Sequence, residues 1–167
     1  IEENNIKDDI YCSQEMEDKW IDENLDLPDK GFFVDIGACY PKLISNTFFF
    51  EHEKKWDGLA IEPDPTYFAE LKKIRKCKLE NVAISDKDNE IVKFERMTQI
   101  SEDGDLKVKS FRLNTILEKY NVEEIDLLSI DIEGKEKDVW KGFNVEKYKP
   151  KIIIGEHTGF GIIDDSF

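Results

Sequence analysis

Acidic residues stand at the ends of short apolar runs in this sequence. Asp35 lies in Val34-Asp35-Ile36-Gly37-Ala38, and Glu62 in Ile61-Glu62-Pro63-Asp64-Pro65. Asp131 and Glu133 lie in Ile130-Asp131-Ile132-Glu133-Gly134. A carboxylate is costly beside buried apolar residues unless it meets a ligand, a metal or a backbone amide. An acid followed by Gly37 and Ala38 lets the chain turn tightly and lets its backbone approach a ligand. Of the GxGxxG glycines only Gly37 is present, so a pyrophosphate cradle is not expected and a ligand without phosphates fits better. Glu62 is left over once Asp64 and Pro65 have supplied a helix start. An acid one βαβ step after the first strand commonly accepts both ribose hydroxyls of an adenosine cofactor. Val82 and Ala83 are small apolar residues suited to covering an adenine ring. Either Asp131 or Glu133 can cap the next helix, but capping accounts for one acid more easily than for two. A fifth run ends in Gly155-Glu156-His157. His157 is there a candidate base, whereas His52 reads as a surface or packing residue.

Those acids need a scaffold that brings strand ends together. The runs Phe32–Ile36, Leu59–Ile61, Asn81–Ile84, Asp126–Ile132 and Lys151–Gly155 alternate with helical stretches. Strands this apolar are buried on both faces, and intervening helices imply parallel pairing. The fold class is therefore α/β, a doubly wound, mostly parallel sheet with helices on both faces, whose ligands bind beyond the carboxyl ends of the strands. Ser45, Asn46 or Thr47 can cap a helix over Phe48–Glu53. Asp64 and Pro65 open another that runs to about Lys76. Residues 90–96 and 107–112 flank Asp103-Gly104 and read as a hairpin or a pair of inserted strands. A helix follows at about Asn114–Tyr120, and Gly142 ends the one after the fourth strand.

The chain has 167 residues, which fits one domain. Residues 1–30 form an acidic arm and a helix near residues 14–25 that carries Trp20, Ile21 and Leu25 on one face and stops at Pro28. Residues 31–167 form the α/β domain. Against 24 Lys and Arg stand 38 Asp and Glu, a net charge of -14. This excludes a general nucleic-acid binder and argues against docking on anionic membranes. No apolar run is long enough to cross a bilayer and no signal-peptide pattern is present. Cys12, Cys39 and Cys77 lack CxxC spacing and read as reduced thiols, so a cytoplasmic location and no zinc framework are expected.

Four strings together resemble the FkbM family of S-adenosylmethionine-dependent methyltransferases. They are Gly31 to Ala38 (GFFVDIGA), Ser45-Asn46-Thr47, Trp56 to Pro63 (WDGLAIEP) and Asp126 to Glu136 (DLLSIDIEGKE). Tyr11-Cys12-Ser13-Gln14 with Asp18 is similar to the family's leading helix. The resemblance implies a Rossmann-like sheet of strand order 3-2-1-4-5. Little chain follows the fifth strand, so the usual closing pair of strands has no room: either the sheet is minimal or the chain is incomplete. It also implies that Asp35, Gly37 and Ala38 line the methionine part of the cofactor, that Glu62 binds the ribose, and that Pro63, Val82 and Ala83 flank the adenine. Asn46 counts among the cofactor-binding residues. Asp131 would lie near the cofactor's amino group or reactive methyl. Tyr40-Pro41 stands where many relatives have a further glycine, and Ser129 where many have lysine.

The implied reaction is methyl transfer to a hydroxyl of a sugar or glycosylated metabolite, with a small-molecule, carbohydrate-containing acceptor as partner. Asp131, Glu133 and His157 are the candidate catalytic residues. A divalent cation on Asp131, Glu133 and Glu156 is conceivable, but no metal site is assigned. The alternative is a non-catalytic adenosine-ligand module or partner subunit on the same fold. A nicotinamide oxidoreductase is disfavoured by the missing glycines. An interaction protein using the acidic amino-terminal region would bind no adenosine ligand.

Overall fold

The structure, a computed structural model, describes residues 10–94, 106–132 and 135–155. The elements run α1 (Glu17–Asn24), β1 (Phe32–Ile36), α2 (Phe48–His52), β2 (Asp57–Ile61), α3 (Pro65–Ile74), β3 (Lys78–Glu80), β4 (Ala83–Ile84), β5 (Glu90–Phe94), β6 (Leu106–Phe111), α4 (Leu113–Lys119), β7 (Leu127–Ile130), α5 (Glu136–Lys141), α6 (Val145–Tyr148) and β8 (Ile152–Gly155). A five-stranded sheet has the order β3-β2-β1-β7-β8, and all its pairs are parallel. This is the expected 3-2-1-4-5 arrangement. A second sheet, β4-β6-β5, pairs β6 antiparallel to β5 and parallel to β4.

The alternation of side chains along each strand explains why the central runs are apolar throughout. Val34, Ile36, Leu59, Ile61, Leu128 and Ile130 face one side and pack with Leu113, Leu117, Val139 and Tyr148 from α4, α5 and α6. Phe33 and Leu127 face the other side and pack with Ile21 of α1, Phe49 and Phe50 of α2, and Trp56. Ala60 points to that same side, where Ala38 and Leu71 of α3 cover it. Both faces are therefore closed by helices, as a doubly wound sheet requires.

Three expectations need correction. The third strand of the main sheet is Lys78–Glu80, not Asn81–Ile84. An edge strand beside β2 needs few apolar residues, and Ala83–Ile84 instead joins β6 in the second sheet. The first helix is shorter than expected and ends at Asn24, before Pro28. Ile21 is buried, while its helical neighbour Trp20, about 100° round the helix, is 59% exposed, and Leu25, 38% exposed, is already extended backbone after the helix. Asp64 does cap α3, accepting the Thr66 N–H at 2.7 Å. The inserted strands are present as β5 and β6. The turn expected at Asp103-Gly104 and the arm at residues 1–9 lie outside the described residues. Among the described residues no helix is long and apolar enough to cross a membrane.

Candidate functional site

The loop leaving β1 is built around Gly37. Its φ is +84°, and a Cβ there would lie 1.9 Å from the Asp131 carbonyl oxygen. Only glycine tolerates both the left-handed backbone and that approach. The Gly37 and Ala38 N–H groups donate to the Ile61 carbonyl at 3.0 and 3.2 Å. The ends of β1, β2 and β7 are thus drawn together at one point. The Asp131 N–H in turn donates to the Ile36 carbonyl at 2.9 Å.

Glu62 fastens the same loop. Its Oε2 accepts the Cys39 N–H at 2.8 Å and its Oε1 accepts the Asp64 N–H at 2.7 Å. The side chain is 5% exposed. Burial raises its pKa to about 7, although both amide hydrogen bonds pull the other way. Each carboxylate oxygen has a second lone pair, so the two amides leave acceptor capacity for a ligand. Asn81 secures the neighbouring backbone by donating to the Glu62 and Pro63 carbonyls at 2.8 and 3.0 Å.

Beside Glu62 opens a cleft with an empty volume of about 300 Å³. Gly37, Pro63, Val82 and Ala83, four of the residues named from the sequence, line it together. Ile36, Ile61, Ile84 and Ile132 complete its apolar wall, and Lys135 adds a cation. Sequence reasoning missed these five. The isoleucines read simply as core, and Lys135 carried no signal beyond its place at a helix start. An apolar wall with a few polar groups is what a planar base needs.

Ala38, Asp35 and Asn46, like Glu62, are not among the residues that line the cleft. Ala38 is buried against Ala60 and Leu71. Asp35 is 4% exposed and accepts the Thr47 hydroxyl at 2.6 Å. Thr47 accepts Arg75 Nη2 at 2.8 Å, and the Arg75 guanidinium, itself fully buried, pairs with Glu51. Ser129, opposite Asp35 in the register of β1 and β7, also hydrogen-bonds Asp35 and accepts Asn46 Nδ2 at 3.2 Å. Burial raises the Asp35 pKa, opposed by the Arg75 charge and by hydrogen bonds from Thr47 and Ser129. Because its hydroxyl goes to Asp35, Thr47 makes no capping bond to α2. Ser45 Oγ accepts the Phe48 N–H at 3.2 Å in its place.

Asp131 is exposed at the end of β7. Glu133, Glu156 and His157 lie outside the described residues. Among the described residues no group of three His, Cys, Asp or Glu side chains could hold a metal ion. His52 is on the surface, its Nδ1 2.8 Å from Glu53. The three cysteines are free, and burial raises the Cys39 thiol to about 11.

The arrangement offers an apolar cleft at strand ends joined by Gly37, with Glu62 standing in the chain between its lining residues Ile61 and Pro63. Comparison with known proteins agrees with this kind of fold. A crystal structure of Methyltransferase FkbM from Methylobacillus flagellatus KT is similar, with a TM-score of 0.56 and 18% sequence identity. The similarity covers 78% of this chain and 34% of that one, so this chain spans about a third of that protein's length. No curated protein matches the sequence. The model of the Methyltransferase FkbM domain matches residues 35–165, a span that starts at the Asp35 of β1 and takes in every strand of the main sheet from there on. The chain belongs to the FkbM methyltransferase family.

Proposed function

We propose that the chain is an S-adenosylmethionine-dependent methyltransferase that methylates a hydroxyl oxygen of a sugar or glycosylated metabolite. One observation carries the cofactor reading. The Glu62 carboxylate, with acceptor capacity to spare, belongs to the residue between Ile61 and Pro63, which line an apolar cleft together with Gly37, Val82 and Ala83. The walls suit an adenine and Glu62 suits a ribose, so the residues present fit this group. When bound, S-adenosylmethionine supplies a methyl group already activated by its sulfonium.

The protein's own task is then alignment and proton removal. Pro63, Val82 and Ala83 exclude water from the adenine faces. Glu62 accepts the ribose hydroxyls and, through Cys39, keeps the loop after β1 in place. Gly37 lets that loop pass close to the end of β7, where the exposed Asp131 faces solvent and an incoming acceptor. A sugar hydroxyl is a weak acid, so Asp131 is assigned as the base, with Glu133 and His157 as the other candidates from the sequence. Asp35 and Asn46 act from behind by fixing β1, β7 and α2 relative to one another.

The test is calorimetric titration with S-adenosylhomocysteine on the wild type and Glu62→Ala, followed by turnover with S-adenosylmethionine on a panel of sugar acceptors. Micromolar binding, weakened about tenfold or more by the substitution, is expected from the loss of a buried acceptor. Absence of binding to the wild type would sink the cofactor assignment. Binding without turnover on any acceptor would favour the non-catalytic adenosine module. Full turnover by Asp131→Asn would remove Asp131 as the base.

A further inference from the structure

The family match begins at residue 35, yet residues 10–24 are packed into the domain. Two kinds of contact hold them. The first is ordinary packing. The Tyr11 ring lies 4.6 Å from that of Phe49, its hydroxyl donates to Asp22 at 2.8 Å, and Ile21 is buried with Phe33 and Trp56.

The second centres on Asp18, which is fully buried. Its carboxylate accepts the Cys12 N–H at 2.6 Å, the Ser13 N–H at 3.1 Å, the Ser13 hydroxyl at 2.6 Å and the Lys19 N–H at 2.8 Å. Ser13 Oγ accepts the Asp18 N–H at 3.2 Å in return. Capping of α1 alone does not require this arrangement, since three donors from two residues outside the helix and its cap, Cys12 and Ser13, converge with one inside it. Its effect is to bend residues 12–18 into a closed hook with Ser13 at the outer edge. Ser13 then forms a parallel bridge with Ile44.

Ile44 lies in the loop between β1 and α2. That loop holds left-handed backbone at Gly37 (φ 84°), Cys39 (φ 45°) and Ile44 (φ 55°). A β-branched residue rarely adopts this conformation and keeps it only where its surroundings impose it. The loop is fastened near its start by Glu62 on the Cys39 N–H, and near its end by Ser45 Oγ on the Thr47 and Phe48 N–H groups. Between those points Lys42, Leu43 and Ile44 are exposed, and the bridge from Ser13 falls within that stretch.

We propose that Asp18 and Ser13 are positioning residues for the ligand cleft: they clamp the middle of the β1–α2 loop and so hold Gly37 and Cys39 in the conformation that admits the ligand. The clamp is read from the fold. Its consequence for binding rests on the cofactor assignment made above.

The experiment measures amide hydrogen exchange over residues 37–47 in the wild-type chain and in Ser13→Ala, Asp18→Asn and Ile21→Val, and then S-adenosylhomocysteine affinity in each. Ser13→Ala should speed exchange in this loop by about fivefold to tenfold, the scale of one lost hydrogen bond, while β5 and β6 exchange as before. Asp18→Asn should do the same or more. Affinity should fall in parallel while the far-ultraviolet spectrum stays unchanged. Ile21→Val removes a core methyl without touching the hook, so it should lower Tm with no selective change in the loop. Loop exchange in Ser13→Ala equal to that of the wild type, or loosening spread evenly over the sheet, would overturn the clamp. Should the wild type fail to bind S-adenosylhomocysteine, the cofactor assignment falls, and the exchange data still decide the clamp.

Discussion

The Glu62 carboxylate accepts the backbone N–H of Cys39 at 2.8 Å, so the end of β2 sets the path of the loop that leaves β1. One side chain thereby serves both the fold and the proposed ligand. Glu62→Ala should remove the acceptors of two amides, at Cys39 and Asp64, and lower stability by about 2 kcal/mol. Glu62→Gln keeps one carbonyl oxygen and should cost less. Urea denaturation of the three proteins checks the order.

Because burial raises the Glu62 pKa to about 7 from its ordinary 4.5, the folded chain holds this proton more tightly than the unfolded chain. The stability this contributes is fully present below about 4.5 and declines as pH rises through 7. Ribose hydroxyls donate to the carboxylate and not to the acid, so S-adenosylhomocysteine should bind more tightly as pH rises from 5 to 7.5. Binding near pH 6.5 should release protons. Calorimetry in two buffers of different ionisation enthalpy reads that release directly, and Glu62→Gln should abolish it.

Gly37→Ala should be the most damaging change in the cleft. The added methyl would meet the Asp131 carbonyl at 1.9 Å in a left-handed backbone. A loss of about 3 kcal/mol is expected from strain and displacement of the loop, together with loss of ligand binding. Thermal unfolding and titration check both parts.

Arg75 is the sole cation of the buried network among the described residues that reaches Thr47 and pairs with Glu51. Burial alone would raise the Glu51 pKa. The Arg75 charge and hydrogen bond, with the Lys76 and Cys77 amides, outweigh it and bring the pKa below the ordinary value. Arg75→Met should therefore cost about 3–5 kcal/mol near pH 7 by leaving a carboxylate without its partner. A depressed carboxylate contributes stability above its unfolded pKa and loses it as pH falls through the folded one. The gap between mutant and wild type should accordingly narrow as pH is lowered from 6 to 3. Urea midpoints across that range measure it.

Several features were legible in the sequence because their causes are local. Asp64-Pro65 marks the start of α3 by capping chemistry, and the structure has the capping bond there. The strands β1, β2 and β7 were visible as apolar runs because a parallel strand covered on both faces has no polar side to show, and the edge strand β8 was visible through Ile152-Ile153-Ile154 although Ile153 is exposed. The third strand was misplaced for the converse reason. Lys78-Leu79-Glu80 at the sheet edge carries no apolar run, while Ala83 and Ile84 look like a buried strand but belong to another sheet. Gly37 and Pro63 share one cleft because parallel pairing brings the carboxyl ends of β1 and β2 to one edge, while Val82 and Ala83 reach it from the start of the second sheet.

By itself, then, the sequence determined the order of elements, the edge of the sheet where chemistry belongs and the acids that stand there, since caps, glycines and apolar periods act over a few residues. Only the tertiary structure decided what each acid holds. Asp35 and Glu62 look alike as strand-end carboxylates. Yet Asp35 turns toward Thr47, 12 residues away, and joins a network that reaches Arg75, whereas Glu62 fastens Cys39, 23 residues away, in the loop after β1. That difference depends on which way each side chain leaves the sheet and on what other segments bring against it. The Asp18–Ser13 bonds are local, spanning five residues, but the bridge from Ser13 to Ile44 joins segments that meet only when α1 packs on β1, so the sequence did not announce that contact.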